Sequence, residues 1–308
     1  MQFHQRLKYR LKLGILLWML FATSGLGIFL FHDWNDTINK FGEESENNVS
    51  ITTTLIRQTL IDASKLLDIT KRDIEPVIAS TTPFSKTLED TLSKSLENFS
   101  VYSNLENYGI VYVIDKNGNL MMRSDHKSLN SINFSDRYFF NELMKNPSLR
   151  FIVGPAIKAR TTHLPVFTIA TPLKDTKNNF IGVLGLQMNC NMIDEQIRKY
   201  LHHPLSKISV ITKNNELSLV IPLNTINPNS EHGIPYEHLS FLEKSNVKKG
   251  WFREDGEIVA IENIPEIDLQ VASETDIASI KKIFYQSNIK IVLILLVLTG
   301  IFLFLALK

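Results

Sequence analysis

Apolar and polar positions divide the chain into regimes with different periods. Residues 14–31, GILLWMLFATSGLGIFLF, and 291–307, IVLILLVLTGIFLFLAL, contain no charged side chain. At 1.5 Å per residue each run crosses most or all of a hydrocarbon layer roughly 30 Å thick, so two transmembrane helices are predicted. Lys290 and Lys308 flank the second run and extend its span by reaching toward the headgroups. Between Asp33 and Asp73 the period is helical. Ile51, Leu55, Ile56, Leu60, Ile61 and Leu67 recur on one stripe, with Gly42 the single glycine and no proline. A long helix leaving the first span is predicted there. Pro76 and Pro83 break the pattern, and a second helix is predicted over 83–99.

Further along, the pattern turns to short β-branched runs between tight turns. GIVYVID (109–115) and LMMRS (120–124) flank Lys116-Asn117-Gly118-Asn119, a hairpin signal. A helix over 135–145 separates this pair from three strand candidates, 150–157 (RFIVGPAI), 164–172 (LPVFTIATP) and 180–188 (FIGVLGLQM). Antiparallel neighbours with short loops, preceded by long helices, predict an α+β fold with helices on one face of the sheet. CNMIDEQIRKYL (190–201) reads as a connecting helix. VYVIDKNGNL (111–120) and ISVITKNNEL (208–217) then share Val, Ile, Lys, Asn and Leu at five of ten places, which points to a repeated strand-and-turn unit. Its later strands are predicted at 250–254, 256–262 and 268–273, with Asp255-Gly256 in a turn. Residues 275–290 lead as a helix into the second span.

Net charge is +1, which offers no basic stripe to nucleic acid. The informative charge is local. Arg6, Lys8, Arg10 and Lys12 precede the first apolar run, so the positive-inside rule keeps the N-terminus in the cytoplasm. No small-x-small cleavage site follows, and the run is expected to persist as an anchor. Residues 32–288 are then expected outside the cytoplasm between two spans, with both termini cytoplasmic. The lone Cys190 excludes an intrachain disulfide and is expected as a small buried hydrophobe, so the outside segment must hold together through its own core. The eight histidines are scattered, and the adjacent pair His202-His203 would point to different helix faces. No metal-ligand spacing, phosphate loop or nucleophile elbow occurs. DKNGN lacks the glutamate that would close a calcium loop and reads as a plain turn. Enzymatic activity, a metal and a cofactor are not expected.

INFSDRYFFNEL (132–143) places a permanent cation, Arg137, among Tyr138, Phe139 and Phe140. One reading is an amphipathic helix capped by Ser135 or Asp136, with Arg137 paired to an acid such as Glu142 and Phe139, Phe140 and Leu143 in the core. The other is the fixed charge of a ligand pocket.

Taken in order, YVIDKNGNL, SDRYFFNEL, IVGPAIKARTTHLPVFTIATPL and FIGVLGLQM resemble the double Cache (PDC-type) extracytoplasmic sensor domain of bacterial receptors. The resemblance is strongest over 105–190 and extends, more weakly, over 34–104 and 206–275. It implies a long stalk helix and two PAS-like antiparallel modules. The expected organisation is a basic cytoplasmic segment 1–13, a span 14–31, stalk and packing helices 32–104, a membrane-distal module 105–190, a membrane-proximal module 191–275, a juxtamembrane helix 276–290 and a span 291–307. It further implies a ligand pocket in the distal module, homodimers paired through the stalk, and signalling through the second span. Such domains serve chemoreceptors, histidine kinases and cyclic-di-GMP enzymes. No output motif follows the second span, so the expectation is an output-less or truncated sensor, or an output protein on a separate chain. A Cache module used for protein–protein interaction is the other reading.

Amino-acid-binding members of the family carry Tyr, then Arg-x-Trp-Tyr, Tyr-x-Asp and a final Asp. The matching positions here hold Ile132, Arg137, Phe139, Phe140, Ala156, Lys158 and Gln187. The resemblance assigns Arg137 to a ligand carboxylate, for which a planar bidentate donor is suited. Both aspartates that would hold an ammonium are replaced, by Lys158 and Gln187, and an ammonium buried without a carboxylate is costly. The expected ligand is therefore an organic anion rather than an α-amino acid. It would be gripped by Arg137 and Lys158, walled by Phe139, Phe140 and Tyr112, and hydrogen-bonded by Gln187, with Ala156 also counted among the site positions. A pocket filled by Phe139, Phe140 and Met122 would favour the interaction module.

Overall fold

The computed structural model describes residues 2–80, 86–100, 109–125, 132–160, 162–201, 206–212, 215–221 and 249–307. The first apolar run and the helical stripe after it form one element, α1 (Gln2–Ser80), whose 79 residues extend about 120 Å. Pro76 was expected to end this helix, but α1 runs through it to Ser80. A proline removes one rung of the ladder. Here Ile74 is fully buried, and Val77 and Ile78 pack on the core, which holds the last turn in place. The buried face of α1 includes Ile56, Leu60 and Leu67, as the period predicts, together with Ala63, Leu66 and Ile74. Between Phe41 and Ile56 it also buries Ser45, Asn48, Thr52 and Thr53, small polar residues that a hydrophobicity pattern passes over. The second helix, α2 (Lys86–Ser100), lies alongside α1 with Leu88 and Leu92 in the same core. The start expected for it at 83 lies outside the described residues, as do 105–108, Thr161 and His202-His203.

Two antiparallel sheets follow. The first contains β1 (Gly109–Asp115), β2 (Leu120–Arg123), β3 (Ile152–Val153), β4 (Ile157–Lys158), β5 (Pro165–Lys174) and β6 (Phe180–Asn189), in the order β2-β1-β6-β5-β3 with β4 also on β5. The single strand expected over 150–157 is two dipeptide strands. Gly154-Pro155 interrupts the ladder, because proline cannot donate to it. α3 (Tyr138–Lys145) covers one face of this sheet. After α4 (Cys190–Arg198), whose N-cap Asn189 side chain accepts from the Asn191 N–H, come β7 (Lys207–Thr212) and β8 (Leu217–Ile221). They join β9 (Lys249–Glu254), β10 (Glu257–Ile264) and β11 (Leu269–Asp276) in the order β8-β7-β11-β10-β9. The Asp255-Gly256 turn between β9 and β10 has both residues at positive φ, 48° and 85°, as a two-residue hairpin requires.

The two sheets share a strand order, and the repeat seen in the sequence is the reason at the hairpin. Asp115 N–H donates to Asn119 O at 2.9 Å and Gly118 N–H to Asp115 O at 3.0 Å. In the second hairpin Thr212 N–H donates to Glu216 O at 2.8 Å and Asn215 N–H to Thr212 O at 2.9 Å. Gly118 and Asn215 take the positive φ, and each β1–β2 type pair shifts register one step before its turn. α1 packs against strands of both sheets, and a single apolar core spans α1, α2 and one face of each. The sheets also bond directly, through Ala156 N–H to Leu217 O (2.7 Å) and Ser218 Oγ to Gly154 O (3.0 Å). Cys190 sits in this shared core. Burial pushes its thiol up to about 12.

β11 runs without a break into α5 (Ile277–Leu307), and the Asp276 carboxylate accepts from the Ala278 and Ser279 N–H groups at its start. α1 and α5 each contain a run long and apolar enough to cross a membrane. They lie side by side: Trp18 stacks on Phe302 at 4.9 Å, Trp34 meets Phe284 edge-on at 5.2 Å, and Asn288 Nδ2 donates to Asp33 at 2.7 Å.

Candidate functional site

Strand alternation sorts the residues of the first sheet into two faces. Val111, Val113, Leu184, Leu186, Phe167 and Ile169 point toward α1, and Met122 joins them. Tyr112, Ile114, Val183 and Ala170 point the other way, toward α3. The candidate site lies on this second face.

Tyr112 stands opposite Gly185, and a Cβ on Gly185 would fall 2.4 Å from the phenol ring. The ring therefore lies over bare backbone. Its hydroxyl is 3.4 Å from Thr168 Oγ1 on β5, it stacks on Phe134 at 5.7 Å, and it meets Phe139 at 6.1 Å. Burial pushes the phenol far above its ordinary range, against smaller opposing effects from Thr168 and the nearby Arg137 charge, so Tyr112 is a neutral hydroxyl.

Arg137 is 4% exposed and holds the N-cap position of α3 in an extended conformation. The segment before it is fixed by the β1–β2 hairpin. Phe134 N–H donates to Gly118 O at 2.7 Å, and Asn133 Nδ2 reaches Asn117 O and Asn119 Oδ1. Asn133 Oδ1 accepts from Ser135 N–H. Two expectations change at this point. No side chain caps α3; Asp136 instead receives two bonds from Arg160, at 2.8 and 2.5 Å, which hold its carboxyl below the usual range. The same guanidinium binds Asn133 O, so Arg160 clamps the turn that presents Arg137. Glu142, the acid expected beside Arg137, takes Lys145 at 3.1 Å.

Phe139 and Phe140 are buried, Phe140 edge-on to Phe180 at 5.9 Å, and with Leu143 they pack α3 onto the sheet. Gln187, half-buried, shares the Tyr112 face and stands in register between Ile110 and Thr168. Five of the seven predicted residues, Tyr112, Arg137, Phe139, Phe140 and Gln187, thus gather on one face. Ala156 and Lys158 do not join them. Ala156 belongs to the core on the α1 side. Lys158 pairs with Pro165, whereas its neighbour Ile157 pairs with Val166 on the Thr168 face.

One residue escaped the sequence reading. Arg123, at the end of β2, is in register with Tyr112 and 4% exposed, and its Nη2 donates to Asp125 at 2.6 Å. Counting back from the four-residue turn pairs residues 112 and 123, so hairpin register carried the signal. Among the described residues, a cleft of about 440 Å³ opens between the sheets beside Tyr138, Arg150, Thr212 and Glu266. Another, of about 460 Å³, lies between the end of α1 and the β5–β6 turn beside Lys71, Glu75 and Lys174. Neither contains Arg137.

No protein-family model and no curated protein matches the chain. Solved structures do. The extracellular domain of rpHK1S-Z16 is 17% identical with a TM-score of 0.59, over 78% of this chain and 95% of that one. The periplasmic sensory domain of the Campylobacter jejuni chemoreceptor Tlp1 is 16% identical with a TM-score of 0.59, over 80% and 98%. The sensor domain of the V. cholerae histidine kinase DctB is 16% identical with a TM-score of 0.53, over 77% and 98%. At these identities the likeness establishes the fold. The chain shares the fold of these sensor domains: a long helix and two antiparallel sheets, here followed by an apolar helix.

Proposed function

We propose that the chain is a membrane-anchored extracytoplasmic sensor that binds a small organic anion on the α3 side of its first sheet. The observation that carries this reading is the buried guanidinium of Arg137, presented by a turn that Arg160 clamps and close enough to Tyr112 for its charge to act on the phenol. A permanent charge in such a place is favoured when a ligand carboxylate can meet it with two parallel hydrogen bonds. The neutral partners nearby argue for the same class, since Gln187 stands where an ammonium would need an acid. α1 anchors the module, the domain stands in the periplasm, and ligand binding is passed to α5 through β11. Pairing of α1 with a second copy and an output protein in the cytoplasm complete the reading.

The second reading, an interaction module, is favoured by the packing of Phe139, Phe140 and Phe134 onto Tyr112. Met122 does not contribute to that filling, because it faces α1. Isothermal titration of the full chain in detergent with a panel of carboxylates and amino acids separates the two. A carboxylate is expected to bind, and Arg137→Ala is expected to weaken it at least tenfold, as loss of a charged hydrogen-bonding partner does. Tight amino-acid binding unaffected by Arg137→Ala would sink the anion reading, and no binding by any member would favour the interaction module.

A further inference from the structure

Arg137 is not the only cation on the α3 side of the first sheet. Arg123 is in register with Tyr112, so the two side chains rise together from neighbouring strands, about 5 Å apart at Cβ. Arg123 is 4% exposed, and Asp125 takes a hydrogen from its Nη2. Its Nε–H, equally buried, has no hydrogen-bond partner among the described residues. A buried guanidinium N–H is expensive to leave unmade, and such a donor marks where a further acceptor belongs. Burial against β1 fixes the side chain beside Tyr112, toward the site rather than toward α1.

The charge of Arg123 limits what that acceptor is. Asp125 already neutralises it, and a second carboxylate brought against the same guanidinium would face the first at close range in a poorly solvated place. A neutral oxygen meets the Nε–H without that repulsion. We propose that Arg123 is a specificity residue of this site, its Nε–H donating to a hydroxyl or carbonyl oxygen of an organic acid whose carboxylate is held by Arg137. The ligand class is thereby a hydroxy- or oxo-monocarboxylate. The inference rests on the anion reading above and adds the second point of contact, with Tyr112 in register with Arg123 and within reach of the Arg137 charge.

The test titrates the full chain in detergent with matched pairs, acetate and glycolate, butyrate and 3-hydroxybutyrate, pyruvate and propionate, and with succinate. At least one oxygenated acid is expected to bind roughly tenfold more tightly than its parent, because a site built to hydrogen-bond an oxygen penalises the analogue lacking it. Arg123→Met is expected to abolish that preference, bringing the two members of the pair to equal affinity. Arg137→Ala is expected to weaken both members of the pair. Arg123→Met leaves Asp125 without its cation, so the double variant Arg123→Met/Asp125→Leu, which removes both charges together, is measured beside it and is expected to lose the same preference. An unchanged preference in both variants, or succinate bound more tightly than every oxygenated monocarboxylate, overturns the role of Arg123 and leaves that of Arg137 standing. Acid affinities insensitive to Arg137→Ala overturn both.

Discussion

Tyr112 owes its position to a side chain that is missing. Gly185 lies across the strand pair from it, and the phenol occupies the space that a Cβ at 185 would take. Gly185→Ala is expected to push the ring away from Thr168, costing roughly 1–3 kcal/mol as overpacking of a filled site does. Thermal unfolding checks the loss, and weaker carboxylate binding should accompany it. At this scale the sequence was legible in part. Arg137, Phe139 and Phe140 stood out because a cation beside three aromatics needs an explanation, and their helix is short and regular. Gln187 came from the family resemblance alone, as the position matching the final Asp of the amino-acid-binding members. Arg160 drew no assignment from the sequence, since nothing local says that its partner lies 24 residues earlier at Asp136. Lys158 was assigned to the site by its position in a motif. The Gly154-Pro155 break reduces its strand to a dipeptide, and the register of that dipeptide, set by Pro165, decides which way it faces.

At the scale of elements, period and turn chemistry located nearly every helix and strand, and errors gathered where tertiary packing outweighs a local signal. α1 continues through Pro76 because Ile74 is buried beneath it. It also carries one glycine whose purpose the period could not show. Gly42 lies against the Trp251 indole of β9, and a Cβ there would sit 2.3 Å from ring atoms. In an exposed helix interior, replacing glycine by alanine gains about 1 kcal/mol. At Gly42 the sign is expected to reverse, because alanine forces Trp251 off the helix and disturbs the apolar contact of Ile38, Phe41, Ile258 and Ile280 beside it. Gly42→Ala should lower the Tm, whereas the double variant Gly42→Ala/Trp251→Leu should recover much of the loss. Chemical denaturation of the three proteins tests this, and a stabilised Gly42→Ala would show that Trp251 does not bear on the helix.

On the scale of the whole molecule, the two apolar helices are joined to the second sheet without slack. β11 becomes α5 at Asp276, whose carboxylate caps the helix, and α1 lies against β9, β10 and β11 before reaching its own apolar run. A displacement of the sheet against α1 therefore reaches α5 directly, with no flexible linker to absorb it. The contacts between the two helices place the partners in one chain: Trp34 with Phe284, Asp33 with Asn288, and Trp18 with Phe302 at the far end. Residue numbers rise along one helix as they fall along the other, which is an antiparallel pair. The prediction is specific. In a Cys190→Ala background, Trp18→Cys with Phe302→Cys should be joined by a short bis-maleimide within a single chain, giving a faster-migrating monomer on a denaturing gel. Cys190 itself should contribute little background, because its buried thiol, pushed up to about 12, holds almost no thiolate near neutral pH. Shifting one cysteine two positions along the helix, to Leu20, turns it away from its partner and should abolish the product. Cross-linked dimers with no intrachain product would mean that these helices pair between copies, and that motion of the sheet is delivered to a neighbouring chain's span rather than to its own.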